Sequence, residues 1–188
     1  MALLNRLGRA RAKRGFAGSV ALSILLIAAD AKLQAQTAEY RIKAVFLYNF
    51  AQFVDWPSKS FPDPQASFVI GVLGEDPFGS YLEETVRGEK IGGRVLTVQR
   101  FRRVGEIRNC QVLFISRSES DRVDQDLAAL RGRGILTVSD IDDFSGHGGM
   151  VRLATEKAKV RVHINLNAIR SANLTVSSKL LRVAEIDR

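Results

Sequence analysis

The chain has 188 residues, of which 46% are apolar and 26% charged, and its formal net charge is +8. This composition supplies a hydrophobic core for one domain and excludes a disordered or collagen-like chain. A single cysteine, Cys110, excludes an intramolecular disulfide and a multi-cysteine zinc site.

The first 35 residues have the layout of an export signal. A basic segment without acids precedes an apolar run from Phe16 to Ala29. This run is too short for a helix of about 20 residues that crosses a bilayer. Ala29-Asp30-Ala31 and Leu33-Gln34-Ala35 both offer a small-residue cleavage site, and cleavage after Ala35 is favoured because it leaves a polar spacer after the apolar run. We predict a cleaved signal peptide, residues 1–35, and export to the bacterial periplasm. An uncleaved anchor and an organelle transit peptide are the alternatives.

Most of the excess positive charge lies in this predicted signal. Residues 1–35 contain six Lys or Arg and one acid, which leaves 22 bases and 19 acids for residues 36–188. The remaining net charge is +3. Because no basic stripe with interleaved aromatic residues remains, the sequence predicts no nucleic-acid partner.

An amphipathic helix is the first element predicted after the signal. Thr37 is its predicted N-cap, and Pro57 its predicted end, because the residue before a proline is disfavoured in a helix. We expect the apolar stripe at helical spacing to face the core. The stripe comprises Ile42, Val45, Phe46, Phe50 and Phe53, with Asn49 on the same side.

Strands and helices are predicted to alternate in the middle of the chain. The near-continuous apolar run Ser67–Gly74 is typical of a strand buried on both faces of a parallel sheet. Asp76 and Pro77 are predicted to begin a helix. Its expected buried residues are Phe78, Leu82 and Val86. The other predicted strands are Arg94–Phe101, Cys110–Ser116 and Gly134–Ser139, and a helix capped by Ser118 with Asp121 carries Val123, Leu127 and Leu130.

The C-terminal part has a different pattern. Gly148–Ala154 and Val160–Leu166 alternate between apolar and polar residues, which predicts an antiparallel hairpin. A final helix, capped by Ser177 or Thr175, would place Val176, Leu180, Val183 and Ala184 on one face. Together these elements predict a single α/β domain, residues 36–188. It has three layers, with a mostly parallel central sheet flanked by helices and a C-terminal antiparallel hairpin at one edge.

The sequence contains no residue set that is typical of catalysis. The two histidines, His147 and His163, accompany no hydrolase motif, and the glycines form no phosphate-binding motif. We therefore predict no catalytic residue, no cofactor and no metal. Four acids follow predicted strands and leave open a sensor for a cation or a small ligand. They are Asp76, Asp140, Asp142 and Asp143. The alternative is that these acids cap helices.

Short segments in collinear order resemble the YfiR family of periplasmic proteins and span nearly the whole mature chain. They are Lys43–Pro57, Ile70–Gly79, Cys110–Ile115, Leu136–Asp140, Gly148–Val151, Val160–Leu166 and Ser177–Leu181. The residues taken as the family motif are Asn49, Trp56, Pro57, Asp76, Pro77, Phe78, Gly79, Asn165, Ser177, Ser178 and Lys179.

The resemblance implies a non-catalytic repressor that binds the periplasmic sensor domain of an inner-membrane diguanylate cyclase. Repression would lower cyclic di-GMP and biofilm formation. An outer-membrane, peptidoglycan-binding lipoprotein would relieve it by sequestering the repressor, and a homodimer is a further candidate assembly. Some relatives carry cysteine pairs that include positions where this chain has Gly71, Ser145 and Arg152. With Cys110 alone, only an intermolecular bridge through an exposed thiol is chemically available.

The candidate partner-binding surface is the glycine-rich loop Asp143–Met150 with the adjacent hairpin. Such loops, and exposed apolar residues beside them, make adaptable contacts. The alternative is that the glycines serve a turn while Phe144 and Met150 fill the core. The candidate contact residues are Phe144, His147, Gly148, Gly149, Met150, Arg152 and His163.

Overall fold

The computed structural model describes residues 34–61 and 63–187. The chain divides into two units, one ending at Ala38 and one beginning at Glu39. In the first unit the described residues, 34–38, are helical. The predicted signal peptide lies outside the described residues except for positions 34 and 35, so its cleavage stays a prediction. Within the described residues, no helix is long and apolar enough to cross a membrane.

The second unit is an α/β domain. Helical residues run from 34 to 53, and those of the second unit, 39–53, are called α1. The other helices are α2 (Tyr81–Val86), α3 (Val123–Leu130), α4 (Leu166–Ser171) and α5 (Ser178–Leu181). The strands are β1 (Val54–Asp55), β2 (Phe68–Leu73), β3 (Lys90–Ile91), β4 (Arg94–Phe101), β5 (Val112–Ile115), β6 (Leu136–Ser139), β7 (Val151–Glu156), β8 (Lys159–Asn165), β9 (Thr175–Val176) and β10 (Glu185–Asp187).

Eight of the described strands form one sheet, in the order β10-β8-β7-β6-β5-β2-β4-β3. The pairs β7–β8 and β3–β4 are antiparallel, and the other neighbours are parallel. Phe68 and Ile70 of β2 join a core with α1, whereas Val69 and Leu73 join a second core with α3. The central strands are buried on both faces, which explains their continuous apolar runs. The predicted three-layer α/β fold is confirmed.

The buried face of α1 differs from the predicted stripe. Leu47 and Phe50 are buried, but Ile42 and Val45 are 47% and 48% exposed. The helix is apolar around much of its circumference, so spacing alone does not identify the buried face. The face that packs on the sheet is the one that carries Lys43, which is fully buried and pairs with the Asp140 carboxylate directly after β6.

Both predicted ends of this helix were wrong. Residues 34–36 are already helical, so Thr37 is not the N-cap. The helix stops at residue 53, before Pro57, because Val54 and Asp55 pair with Val176 and Thr175 as the small antiparallel sheet β1–β9. Strand pairing over a long sequence separation therefore ends the helix before the proline does.

The two following helices also begin later than predicted. Asp76 closes a turn by accepting a hydrogen bond from the Phe78 N–H at 2.8 Å, and α2 begins only at Tyr81. Ser116, not Ser118, caps the 3₁₀ turn Arg117–Arg122 that precedes α3. The expected buried residues of both helices are buried: Phe78, Leu82, Val86, Val123, Leu127 and Leu130.

The C-terminal hairpin is confirmed as β7–β8, with its turn at residues 157 and 158. It does not form the edge of the sheet, because β10 pairs in parallel with β8. Ser177 caps α5 as expected, by accepting from the Leu180 N–H. Val183 is 70% exposed rather than buried, since α5 ends at Leu181 and the chain turns into β10.

Gly71 lies where β2 has no room for a side chain. A Cβ atom there would lie 2.8 Å from the Cys110 sulfur and from a Phe101 ring carbon. We expect Gly71→Ala to lower the free energy of unfolding by about 1–3 kcal/mol, measured by urea denaturation. Gly105→Ala is the matched control, because a Cβ atom at Gly105 meets nothing within 4 Å. Equal effects of the two substitutions would contradict the packing account.

The cysteine is buried in the core beside α3. Burial raises the pKa of the Cys110 thiol to about 12, so little thiolate forms at neutral pH. The intermolecular bridge considered above requires an exposed thiol, and Cys110 does not provide one.

Candidate functional site

The Gly-rich crossover, defined as residues 140–150, connects β6 to the parallel strand β7 without an α-helix. Phe144 is fully buried in the core beside α3. Gly149 lies against the Phe144 ring so closely that a Cβ atom would overlap it. Phe144 therefore anchors the crossover from beneath. The prediction that Phe144 contacts a partner is wrong, because its side chain is not exposed. The structure instead shows the alternative, in which Phe144 fills the core.

The outer part of the crossover is a tight turn held by hydrogen bonds. The Gly148 N–H donates to the Ser145 carbonyl at 3.0 Å, and the His147 N–H donates to the Asp143 carbonyl at 3.2 Å. Gly148 has a φ of +90°, which favours glycine. The His147 Nδ1 atom lies 2.8 Å from an Asp124 carboxylate oxygen on α3. These contacts hold the exposed glycines and the His147 ring in a fixed position.

Over β7, β8 and β10, one face of the sheet does not pack against α3. On β7 and β8, Val151 and Ile164 belong to the core with α1, while their neighbours Arg152 and His163 point to the opposite side. The core beside α3 contains no residue of β7, β8 or β10, so α3 does not cover this side. We call it the open face. It carries Arg152, Ala154, Glu156, Lys159, Arg161, His163, Asn165, Glu185 and Asp187.

The open face is polar and internally paired at its centre. The His163 Nδ1 atom lies 3.2 Å from an Asp187 oxygen, and Nε2 lies 3.6 Å from a Glu156 oxygen. Ser145 donates a hydrogen bond to Asp187. Arg152 lines an adjoining hollow of about 350 Å³ together with Ser145 and Asp187. The structure thus places His163 and Arg152 beside the Gly-rich crossover.

Asn165 joins three elements at this site. Its backbone N–H donates to the Met150 carbonyl at 2.9 Å, and its side-chain oxygen caps α4 by accepting from the Ala168 N–H at 3.0 Å. Its side-chain nitrogen donates to the Ser145 carbonyl. This motif residue therefore has a positioning role at the end of the crossover.

The other motif residues lie in different parts of the domain. Asp76, Pro77, Phe78 and Gly79 form the turn before α2, where Arg100 bonds to Asp76 and to the Gly79 carbonyl. The Trp56 indole donates to the Gln111 carbonyl at 3.1 Å. The remaining positions are Asn49 on α1, Pro57 before a 3₁₀ turn, and Ser177, Ser178 and Lys179 at α5. The motif as a whole does not form one site.

A buried ion cluster was missed by the sequence analysis. The Lys43 ammonium lies 2.6 Å from the Asp140 carboxylate and 2.5 Å from Glu39. The Tyr40 hydroxyl donates to Asp140 at 2.8 Å. Burial, and then the Asp140 charge, raise the pKa of Tyr40. The position of Lys43 among apolar helix residues could have indicated a buried charge. Its partner could not be predicted, because Asp140 lies 97 residues further along the chain.

The acids expected at the ends of the strands do not converge. Asp140 pairs with Lys43, and Asp76 pairs with Arg100 at 2.7 Å. Across residues 34–61 and 63–187, no group of three or more His, Cys, Asp or Glu side chains is arranged to hold a metal ion. Each of these two carboxylates has a protein cation as its partner, so neither has the free charge that a cation site requires.

Asp126 on α3 gives a pH-dependent prediction. Its side chain is buried, and burial together with the Glu119 charge raises its pKa. The folded protein therefore binds this proton more tightly than the unfolded chain does. The free energy of unfolding declines as the pH rises from the pKa of Asp126 in the unfolded chain to its higher pKa in the folded protein. We expect Asp126→Asn to raise the melting temperature at pH 7 and to change it little in acid.

Thermal melts of Asp126→Asn across pH test this expectation. Asp121→Asn is the control, because Asp121 is exposed and lies just before α3. A gain in melting temperature that is the same at every pH would contradict the linkage to the Asp126 proton.

Comparison with known proteins agrees with this architecture. A family model described as YfiR/HmsC-like matches residues 40–185, which include nearly all of α1, the Gly-rich crossover and the open face except Asp187. The proteins of this family are periplasmic, non-catalytic regulators in cyclic di-GMP signalling, and the family implies a protein partner. The chain belongs to the YfiR/HmsC-like family, which confirms the resemblance seen in its sequence. No curated protein matches the chain at a significant level.

Proposed function

We propose that the protein represses an inner-membrane diguanylate cyclase by binding the periplasmic sensor domain of that enzyme. Membership of the YfiR/HmsC-like family over residues 40–185 is the observation that carries this proposal. Repression lowers intracellular cyclic di-GMP and so limits biofilm formation. An outer-membrane, peptidoglycan-binding lipoprotein that sequesters the repressor would restore the activity of the cyclase.

The open face and the exposed part of the Gly-rich crossover are the proposed contact surface. Three observations support this choice: α3 does not pack on this face, its residues other than Ala154 are polar or charged, and the turn at Gly148 is held by hydrogen bonds. Arg161 is exposed on this face and makes no side-chain hydrogen bond or ion pair with the described residues. Its charge is therefore available to an acidic group of a partner.

The proposed mechanism is a shift between two states of the sensor domain. A partner that binds only the inactive state lowers the active population in proportion to its differential affinity. Each tenfold difference in affinity corresponds to about 1.4 kcal/mol. The repressor needs no chemistry of its own for this effect, because its binding free energy supplies the shift.

The test combines a gene deletion with surface variants. We expect deletion to raise intracellular cyclic di-GMP and surface attachment, and the unaltered gene to restore the low level. Arg161→Glu is expected to fail in this complementation while it folds and accumulates normally. Arg87→Glu, a charge reversal at the end of α2 on the far side of the sheet, is the matched control and should restore repression.

Two outcomes would count against the proposal. Unchanged cyclic di-GMP after deletion would remove the repressor function. Full complementation by Arg161→Glu would leave the function in place but remove the open face as its contact surface.

A further inference from the structure

A groove at the N-terminal end of β6 lies beside the proposed contact surface and shares His147 and Gly148 with it. It lies between α3, α4 and the end of the Gly-rich crossover and has a volume of about 490 Å³. This is the size of a pocket for a small molecule. The groove is called the α3–α4 groove below.

Apolar side chains form much of the lining of the α3–α4 groove. They are Leu127, Leu130, Met150, Ala168 and Ala172, of which the two leucines and Ala172 are almost fully buried. Such a surface favours an apolar body in the ligand, since contact with it removes apolar area from water.

The polar part of the lining carries positive charge and no carboxylate. Arg131 and His147 line the groove, and no lining residue is Asp or Glu. Within the described part of the chain, the Arg131 guanidinium makes no hydrogen bond or ion pair. His147 is held through Nδ1 by Asp124, and its Nε2 atom has no bond to a described residue. The Arg131 guanidinium can donate to an anion. The His147 Nε2 atom donates as well when the ring is protonated, because the single proton of the neutral ring lies on Nδ1, facing Asp124.

The walls of the groove are already fixed by hydrogen bonds. Asn165 caps α4 and bonds to the Met150 carbonyl. The Met150 N–H donates to the Thr137 hydroxyl at 3.2 Å. Ordering these walls on binding therefore costs a ligand little free energy, as in a preformed binding site.

We propose that the α3–α4 groove binds a small carboxylate with an apolar body, its carboxylate at Arg131 and His147 and its apolar part against Leu127, Leu130 and Met150. The binding itself is independent of the proposed repression. An effect of the ligand on cyclic di-GMP would rest on that proposed function.

The test is a ligand titration of the isotopically labelled protein, purified in the form that accumulates in the cell. Binding is measured from the changes in amide chemical shift. Phenylacetate and octanoate are the probes, and phenylacetamide is the matched neutral control. We expect both carboxylates to shift amides of the groove and to bind at least tenfold more tightly than phenylacetamide, because a charge-assisted hydrogen bond is lost with the charge.

Three variants identify the site. Arg131→Gln is expected to weaken carboxylate binding about tenfold or more. Arg170→Gln, on α4 but outside the lining, should leave binding unchanged. Ala168→Leu narrows the groove without altering its charge and should also weaken binding.

Other results would overturn the proposal. The first is that millimolar phenylacetate and octanoate cause no amide shifts, or shifts that map outside the groove. The second is that phenylacetamide binds as tightly as the carboxylates, or that Arg170→Gln weakens binding as much as Arg131→Gln. The third is that an acidic peptide binds the groove while neither phenylacetate nor octanoate does. Because the titration uses purified protein and no cyclase, failure of this proposal is distinguishable from failure of the repressor function.

Discussion

Replacing Lys43 by methionine is expected to lower the free energy of unfolding by about 3–5 kcal/mol. Methionine keeps much of the volume of the lysine stem but leaves the buried Asp140 carboxylate without its nearest cation. Tyr40 would still donate to that carboxylate at 2.8 Å, and the exposed Arg117 guanidinium, 3.4 Å away, would be the remaining cation. Since the pair joins α1 to the end of β6, we also expect α1 to lose protection from hydrogen exchange before the rest of the domain.

Urea denaturation and hydrogen exchange measure this effect. Lys179→Met on the exposed side of α5 is the matched control and should change stability by less than about 0.5 kcal/mol. The double variant Lys43→Met with Asp140→Leu removes both charges and should recover most of the loss, because the penalty comes from the unpaired carboxylate. If Lys43→Met behaves like Lys179→Met, the ion pair does not anchor α1.

Replacing Phe144 by alanine is expected to lower stability by about 3–5 kcal/mol, because it removes a fully buried ring. The crossover between β6 and β7 has no α-helix of its own, and its attachments to the core beside α3 are this ring and Ile141. The loss should therefore appear first as increased hydrogen exchange at Gly148 and Gly149. Under the proposed function, repression of the cyclase should weaken as well.

Phe144→Leu separates packing from a role at the surface. It keeps the site apolar and is expected to retain most of the stability and the repression. Loss of repression in a stably folded Phe144→Leu variant would contradict the view that Phe144 acts only from beneath the crossover.

The strands could be predicted from the sequence because their pattern is local. The apolar runs at β2, β5 and β6 follow from burial on both faces of a sheet, and the alternation at β7 and β8 follows from burial on one face. The ends of helices were less predictable. The α1 helix ends where Val54 pairs with Val176, a contact over a long stretch of sequence that no local pattern encodes.

The candidate site was predicted only in part. The glycines and histidines marked the Gly-rich crossover and its neighbourhood, and the structure places His147, Met150, Arg152 and His163 around it. That Phe144 points inward could not be predicted, because an apolar residue in a glycine-rich segment fits either a core or a contact. The α3–α4 groove was not visible in the sequence, since α3, the crossover and α4 form it together.

The sequence by itself determined the family, the α/β class and the near-neutral charge of the chain after its predicted signal, because these depend on composition and on local patterns. Tertiary structure alone decided which face of α1 is buried, which charges are paired and where a surface is left open. Those properties depend on contacts between distant residues. Lys43 and Asp140 are the clearest case, because neither one predicts a buried ion pair until the fold brings them together.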